Sequence, residues 1–237
     1  MNSFQTKYFV GFSPATLDFL RNLQKNNNKS WFEKNRSLYQ QVLLKPLQAL
    51  VMDLQDTISD IDPHIETRPL INRAISNIYR DIRFSRDKRL LKDRMWLVFK
   101  RPSKEWTERL PAFYFEINTE SYLYGMGYYS ASPSLMNALR KTILTNPAKF
   151  RKAIAFYQHP QNKLRLEGEY YKKPPVRDYP PDLKEWFNLK TFYFGCERKP
   201  DRLLFSRQLA DELRNAFIQL APLYQFLISL SLNSNQQ

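Results

Sequence analysis

Between Ala112 and Asn118 the side chains alternate, with Phe113, Phe115 and Ile117 on one side and Tyr114, Glu116 and Asn118 on the other. A period of two fits a strand with one face buried, and it does not fit a helix. Asn118-Thr119-Glu120-Ser121 then reads as a turn into a second run, Tyr122 to Tyr129, so the two runs form a hairpin. The chain on either side has helical spacing. A fold that buries both patterns sets helices against a mainly antiparallel sheet, so the class is α+β.

Ser13-Pro14 opens the first helix, because serine suits a cap and proline suits the first helical position. Leu17, Leu20 and Leu23 form its apolar stripe, and Asn26-Asn27-Asn28 ends it and caps the next. A second helix is expected from about Lys29 to Ile61, kinked or restarted at Pro46, and paired antiparallel with the first. Further helices open at Ser132-Pro133 and Asn146-Pro147, with a short one around Trp186. Strands are expected at Leu97–Lys100, Leu164–Tyr171 and Phe192–Cys196. The last helical region, Ser206 to Leu230, is interrupted at Pro222. Residues 1–237 are read as a single compact domain, helical from about 12 to 62 and mixed from about 63 to 237.

With five glycines, of which Gly125 and Gly127 are the only close pair, the chain has neither a P-loop nor a full dinucleotide fingerprint. One cysteine, Cys196, permits no internal disulfide, which suits a reducing compartment. His64 and His159 with that cysteine do not make a usual structural zinc set. No metal ligands are assigned, although a carboxylate-bound magnesium or manganese would leave little spacing signature. The most apolar stretch, Leu220 to Leu232, is too short to span a bilayer, and the expected location is cytoplasmic with no membrane partner.

The charge is uneven. Residues 68–104 hold twelve Lys/Arg against three Asp, a net +9 of the total +14. Within them, apolar Ile75, Ile78, Ile82 and Phe84 are interleaved with Arg80, Asp81, Arg83, Asp87 and Lys88. The apolar residues would anchor the segment and let the polar ones converge. Arginine offers a planar donor fork suited to carboxylate or phosphate, so Arg80, Arg83 and Lys88 make an oxyanion clamp. Asp81 and Asp87 would orient those cations, bind a divalent metal or act as a base. Ser85 is a further donor. The alternative is a ladder of salt bridges that fixes a loop, since structural ion pairs also concentrate charge.

These residues resemble a bacterial conserved-hypothetical family known as domain of unknown function 2461. The likeness rests on Asn26-Asn27 followed by Trp31-Phe32, then on Ile78-Tyr79-Arg80-Asp81-Ile82-Arg83-Phe84-Ser85-Arg86-Asp87-Lys88. It continues through Gly127-Tyr128-Tyr129, Pro133, Leu139, Arg140, Lys173-Pro174 and Tyr179-Pro180. The resemblance implies a shared fold and a site centred on Arg80, Asp81, Arg83, Asp87 and Lys88, and it brings no activity or cofactor. The chain departs from the family pattern at Asn77, usually arginine, and at Leu90-Leu91, usually Pro-Tyr.

Outside the segment, Arg140 follows Leu139 on a helix and could reach the same ligand, with a solvated or snorkelling arginine as the plainer reading. Tyr122, Tyr124 and Tyr128 share a strand face, where sheet packing is favoured over base stacking. Glu116, Glu167 and Glu169 lie on strand faces that read as solvated, and Cys196 reads as a buried thiol. Three functions are compatible with this set. One is a domain that binds or acts on an anionic small molecule. The second is a basic nucleic-acid-binding protein, supported by charge and aromatics. The third is a scaffold whose arginine motif is structural.

Overall fold

A computed structural model describes residues 8–81, 83, 88–102 and 110–234. Helix α1 is Pro14–Lys25, and its buried stripe is Leu17, Phe19, Leu20 and Leu23. Thr16, fully buried, closes its start by accepting the Ser13 N–H at 3.2 Å. Asn28 caps α2, Lys29–Lys34, by accepting the Trp31 N–H.

The expected single helix from Lys29 to Ile61 is instead divided. After α2 come α3, Arg36–Tyr39, a π turn at Gln40–Leu44, and α4, Lys45–Ile61. Proline is the reason for the restart. Pro46 has no N–H to give to the Val42 carbonyl four residues earlier. Thr16 Oγ donates to that carbonyl at 2.6 Å, so α1 satisfies the acceptor that the proline leaves.

The sheet is antiparallel, in the order β1-β2-β3-β5-β4. Its strands are β1 Met95–Phe99, β2 Ala112–Ile117, β3 Tyr122–Gly127, β4 Arg165–Tyr170 and β5 Leu189–Arg198. The alternation read from the sequence is the burial pattern observed, with Phe113, Phe115 and Ile117 fully buried. Gly127 stands so close to the next strand that a Cβ would lie 2.3 Å from Tyr193 Cα, which accounts for glycine there.

Helices α5, Pro133–Thr145, and α6, Pro147–Ala153, start at the two predicted Ser/Asn-Pro pairs, each capped by its Ser132 or Asn146 side chain. Then come α7, Lys184–Asn188, and α8, Gln208–Ser234. The expected interruption at Pro222 does not occur, and α8 runs through it. Pro222 is exposed, and so is Ile218, whose carbonyl the proline leaves without an N–H, so water can satisfy it. Leu213, Phe217, Leu220 and Leu223 are fully buried, which outweighs the proline cost of about 3 kcal/mol.

The chain divides into two compact units. The first holds Met1–Phe99, Tyr114–Tyr124 and Glu197–Asn215; the second holds Lys100–Phe113, Gly125–Cys196 and Ala216–Gln237. Among the described residues no helix is long and apolar enough to cross a membrane.

Candidate functional site

The basic segment forms the end of an irregular hairpin in the first unit. Val98 N–H donates to Ala74 and Ser76 N–H to Trp96, so the incoming arm runs beside β1. Tyr79 and Leu91 then form an antiparallel bridge, with Arg80 N–H to Leu90 O and Lys92 N–H to Ile78 O, both at 2.9 Å. Residues 81, 83, 88 and 89 fall between these paired positions. Asn27 fastens the return arm. Its Nδ2 donates to the Leu91 carbonyl at 2.8 Å, and its Oδ1 accepts the Leu91 N–H at 2.9 Å. A side-chain amide thus supplies the pairing a neighbouring strand would give. Of the three asparagines expected to end one helix and cap the next, Asn28 caps α2, which leaves Asn27 for this role.

Of the four expected apolar anchors, Ile75 and Ile78 are buried and Ile82 and Phe84 lie outside the described residues; Leu91 is buried on the return arm. Arg80 and Lys92 are on the same side of the bridge, because each is one residue away from the Tyr79–Leu91 pair. Lys92 is half-buried. Its Nζ donates to the Asn77 carbonyl at 2.7 Å and lies 4.3 Å from the centre of the Trp96 ring. Burial, with the neighbouring Arg80 charge, pushes the Lys92 ammonium below its ordinary value. On the other side Tyr79 sets its ring edge-on to Phe32 and its hydroxyl 3.4 Å from Glu33 Oε1. Arg36 grips Glu33 with two bonds, at 2.9 and 2.6 Å.

Asp81 and Arg83 are brought together. Arg83 Nε and Nη2 donate to the two Asp81 oxygens at 3.0 and 2.7 Å, and the Arg83 N–H adds a third bond at 3.2 Å. This hydrogen bonding lowers the Asp81 carboxyl to about 2, so it is ionised throughout the neutral range and is a weak base. What it does well is hold the Arg83 fork. Both side chains are mostly exposed, at 57% and 76%. Lys88 closes the loop and is exposed. Asp87 and Ser85 lie outside the described residues.

Arg140 belongs to the second unit, where it is 2% exposed. Its Nε donates to Phe187 O at 3.1 Å, Nη2 to Leu189 O at 2.5 Å and Nη1 to Asn137 Oδ1 at 2.8 Å. The guanidinium also sits over the Tyr171 ring. It is neither solvated nor snorkelling. It pins α5 to the junction of α7 and β5, and its fork is occupied there. Tyr122 and Tyr124 are buried sheet residues whose hydroxyls donate to Asp201 and Glu212. Glu116 pairs with Arg94 at 3.1 Å. Cys196 is buried. Among the described residues no group of three or more His, Cys, Asp and Glu is placed to hold a metal.

Sequence reasoning missed Lys92 and Trp96. Their only signal is register: once Tyr79 faces Leu91, position 92 falls on the same face as position 80, diagonally across the two arms. It also missed Asn27 as a clamp, because a run of three asparagines reads as a helix boundary.

The fold and the hairpin define an α+β protein that presents an anchored cationic loop. The chain belongs to the conserved hypothetical protein family DUF2461, which matches residues 15–226. No curated protein matches the chain.

Proposed function

We propose that the hairpin binds an anionic small molecule, with Arg80 and Lys92 as the inner contacts and Arg83 and Lys88 as the outer ones. The observation that carries this is the pair Arg80 and Lys92. Lys92 is half-buried over an indole, and burial with the Arg80 charge on the same face disfavours its charged form, which an anion bound there would favour. The Lys92 hydrogen bond to Asn77 fixes where its charge stands. Asp81 orients Arg83 rather than transferring a proton. Asp87 and Ser85, near Arg83 and Lys88 in the sequence, complete the proposed set as proton carrier and hydroxyl donor.

The test is a thermal-shift titration with inorganic phosphate against sodium chloride at equal ionic strength. Wild type should show a saturable rise that Arg80→Ala and Lys92→Met abolish. An equal rise in wild type and both variants would discard the reading. The exposed cations Arg83, Lys88 and Arg89 on one loop favour nucleic acid as the second reading. Binding of a labelled duplex that weakens steeply with salt and depends on those three, with no response to phosphate, would select it.

A further inference from the structure

The second unit carries a depression of different chemistry. It has a volume of about 560 Å³ and is lined by Tyr129, Glu167, Gly168, Glu169, Tyr170 and Tyr193, among others. That volume is in the range of small-ligand sites. Its walls follow from the register of β4 and β5, where Glu167 faces Tyr193 and Glu169 faces Thr191. Residues two apart share a sheet face, so both carboxylates rise on the same side as the Tyr193 ring. Tyr193 donates its hydroxyl to Glu167 Oε2 at 2.6 Å, which fixes the ring and one carboxylate together. Tyr170 is likewise held, its hydroxyl donating to Glu185 at 3.0 Å.

Two features set this place apart from a solvated sheet face. Tyr129, which lines it, is 101% exposed, more than any other large hydrophobic side chain in the described residues. At Gly168, between the two glutamates, β4 lies so close to β5 that a Cβ would come within 2.1 Å of the Thr191 carbonyl. Among the described residues that line it, the only charged groups are Glu167 and Glu169, in a chain of formal charge +14.

We propose that this depression binds a small organic cation, its ammonium group seated against the Tyr129 and Tyr193 rings and neutralised by Glu169 and Glu167. Aromatic faces attract a cation through their quadrupole, and methylated ammonium groups gain most because they shed water easily. Carboxylates beside the rings supply the opposite charge. The chemistry is opposite in sign to that of the Arg80 hairpin and does not depend on it.

The probe is tetramethylammonium chloride, titrated into the whole protein against sodium chloride at equal ionic strength, with heat of binding and tyrosine fluorescence as readouts. Wild type should bind saturably. Tyr129→Ala and Glu169→Gln should each weaken binding by roughly tenfold, while Lys92→Met binds as wild type does. Both altered side chains are exposed, so the variants should keep the wild-type circular dichroism and unfolding midpoint. A response to tetramethylammonium no different from that to sodium overturns the proposal. So does binding that survives in both folded variants.

Discussion

Arg83 and Arg140 are the same residue put to opposite uses. Arg83 is mostly exposed, and its fork grips a carboxylate two residues away. Arg140 is buried, and its fork grips two backbone carbonyls across 47 and 49 residues. The first interaction is local and solvent-screened, so it shapes a loop without holding the fold. The second ties distant chain together where water cannot substitute. A guanidinium is therefore a fastener or a presented charge according to what its surroundings leave it to bond.

The largest effect is expected at the fastener. Arg140→Met leaves the Phe187 and Leu189 carbonyls buried without donors and should cost roughly 3 kcal/mol in urea unfolding. A loss no greater than that of an exposed arginine would remove the distinction. Thr16→Val is the uncharged counterpart. It strips the donor from Val42 O beside Pro46 and should cost about 1–2 kcal/mol by the same measurement.

Lys92→Met separates stability from binding. The lost bond to the Asn77 carbonyl, about 1 kcal/mol, is offset by removal of a half-buried charge facing Arg80. The midpoint should stay close to wild type while the phosphate response disappears. Its pH dependence has a definite sign. The folded ammonium lies below its ordinary 10.5, so the unfolded state holds the proton more tightly. Wild type should gain on Lys92→Met as pH rises from the depressed value to 10.5, and phosphate binding should fall over that window.

The smallest effect belongs to the exposed pair. Asp81 titrates at about 2 when folded, below its ordinary 3.8, so its contribution is present above 3.8 and lost as pH falls through about 2. Arg83→Ala and Asp81→Asn should scarcely move the midpoint at neutral pH. The difference between wild type and Asp81→Asn should vanish near pH 2 in an acid unfolding series.

The elements were legible where periodicity and capping act within one segment. The Phe113-Phe115-Ile117 alternation, the Ser132-Pro133 and Asn146-Pro147 starts and the β2–β3 turn all depend on near neighbours in sequence. Where distant residues decide, the sequence misleads. Pro222 sits unbroken inside α8 because its exposed face lets water satisfy the freed carbonyl, and exposure is a tertiary property. Pro46 does restart a helix, but the division at Asn35 and the π turn has no comparable signature. In the candidate site, Arg80, Asp81 and Arg83 stand out by density within a few residues. Lys92, Trp96 and Asn27 do not, because only the register of the hairpin and a contact across 64 residues bring them in.

That long contact also orders events in time. The Tyr79–Leu91 bridge closes a short stretch of chain, whereas the Asn27 clamp must bring together segments 64 residues apart. Closing the longer loop costs more chain entropy, so the hairpin should zip before the helical arm docks on it. The Arg80 and Leu91 amides, one bonded within the hairpin and the other to Asn27, would then report different steps. In pulsed hydrogen exchange during refolding, Arg80 should become protected first and Leu91 later, which makes Asn27 the clock hand for docking of the helical arm.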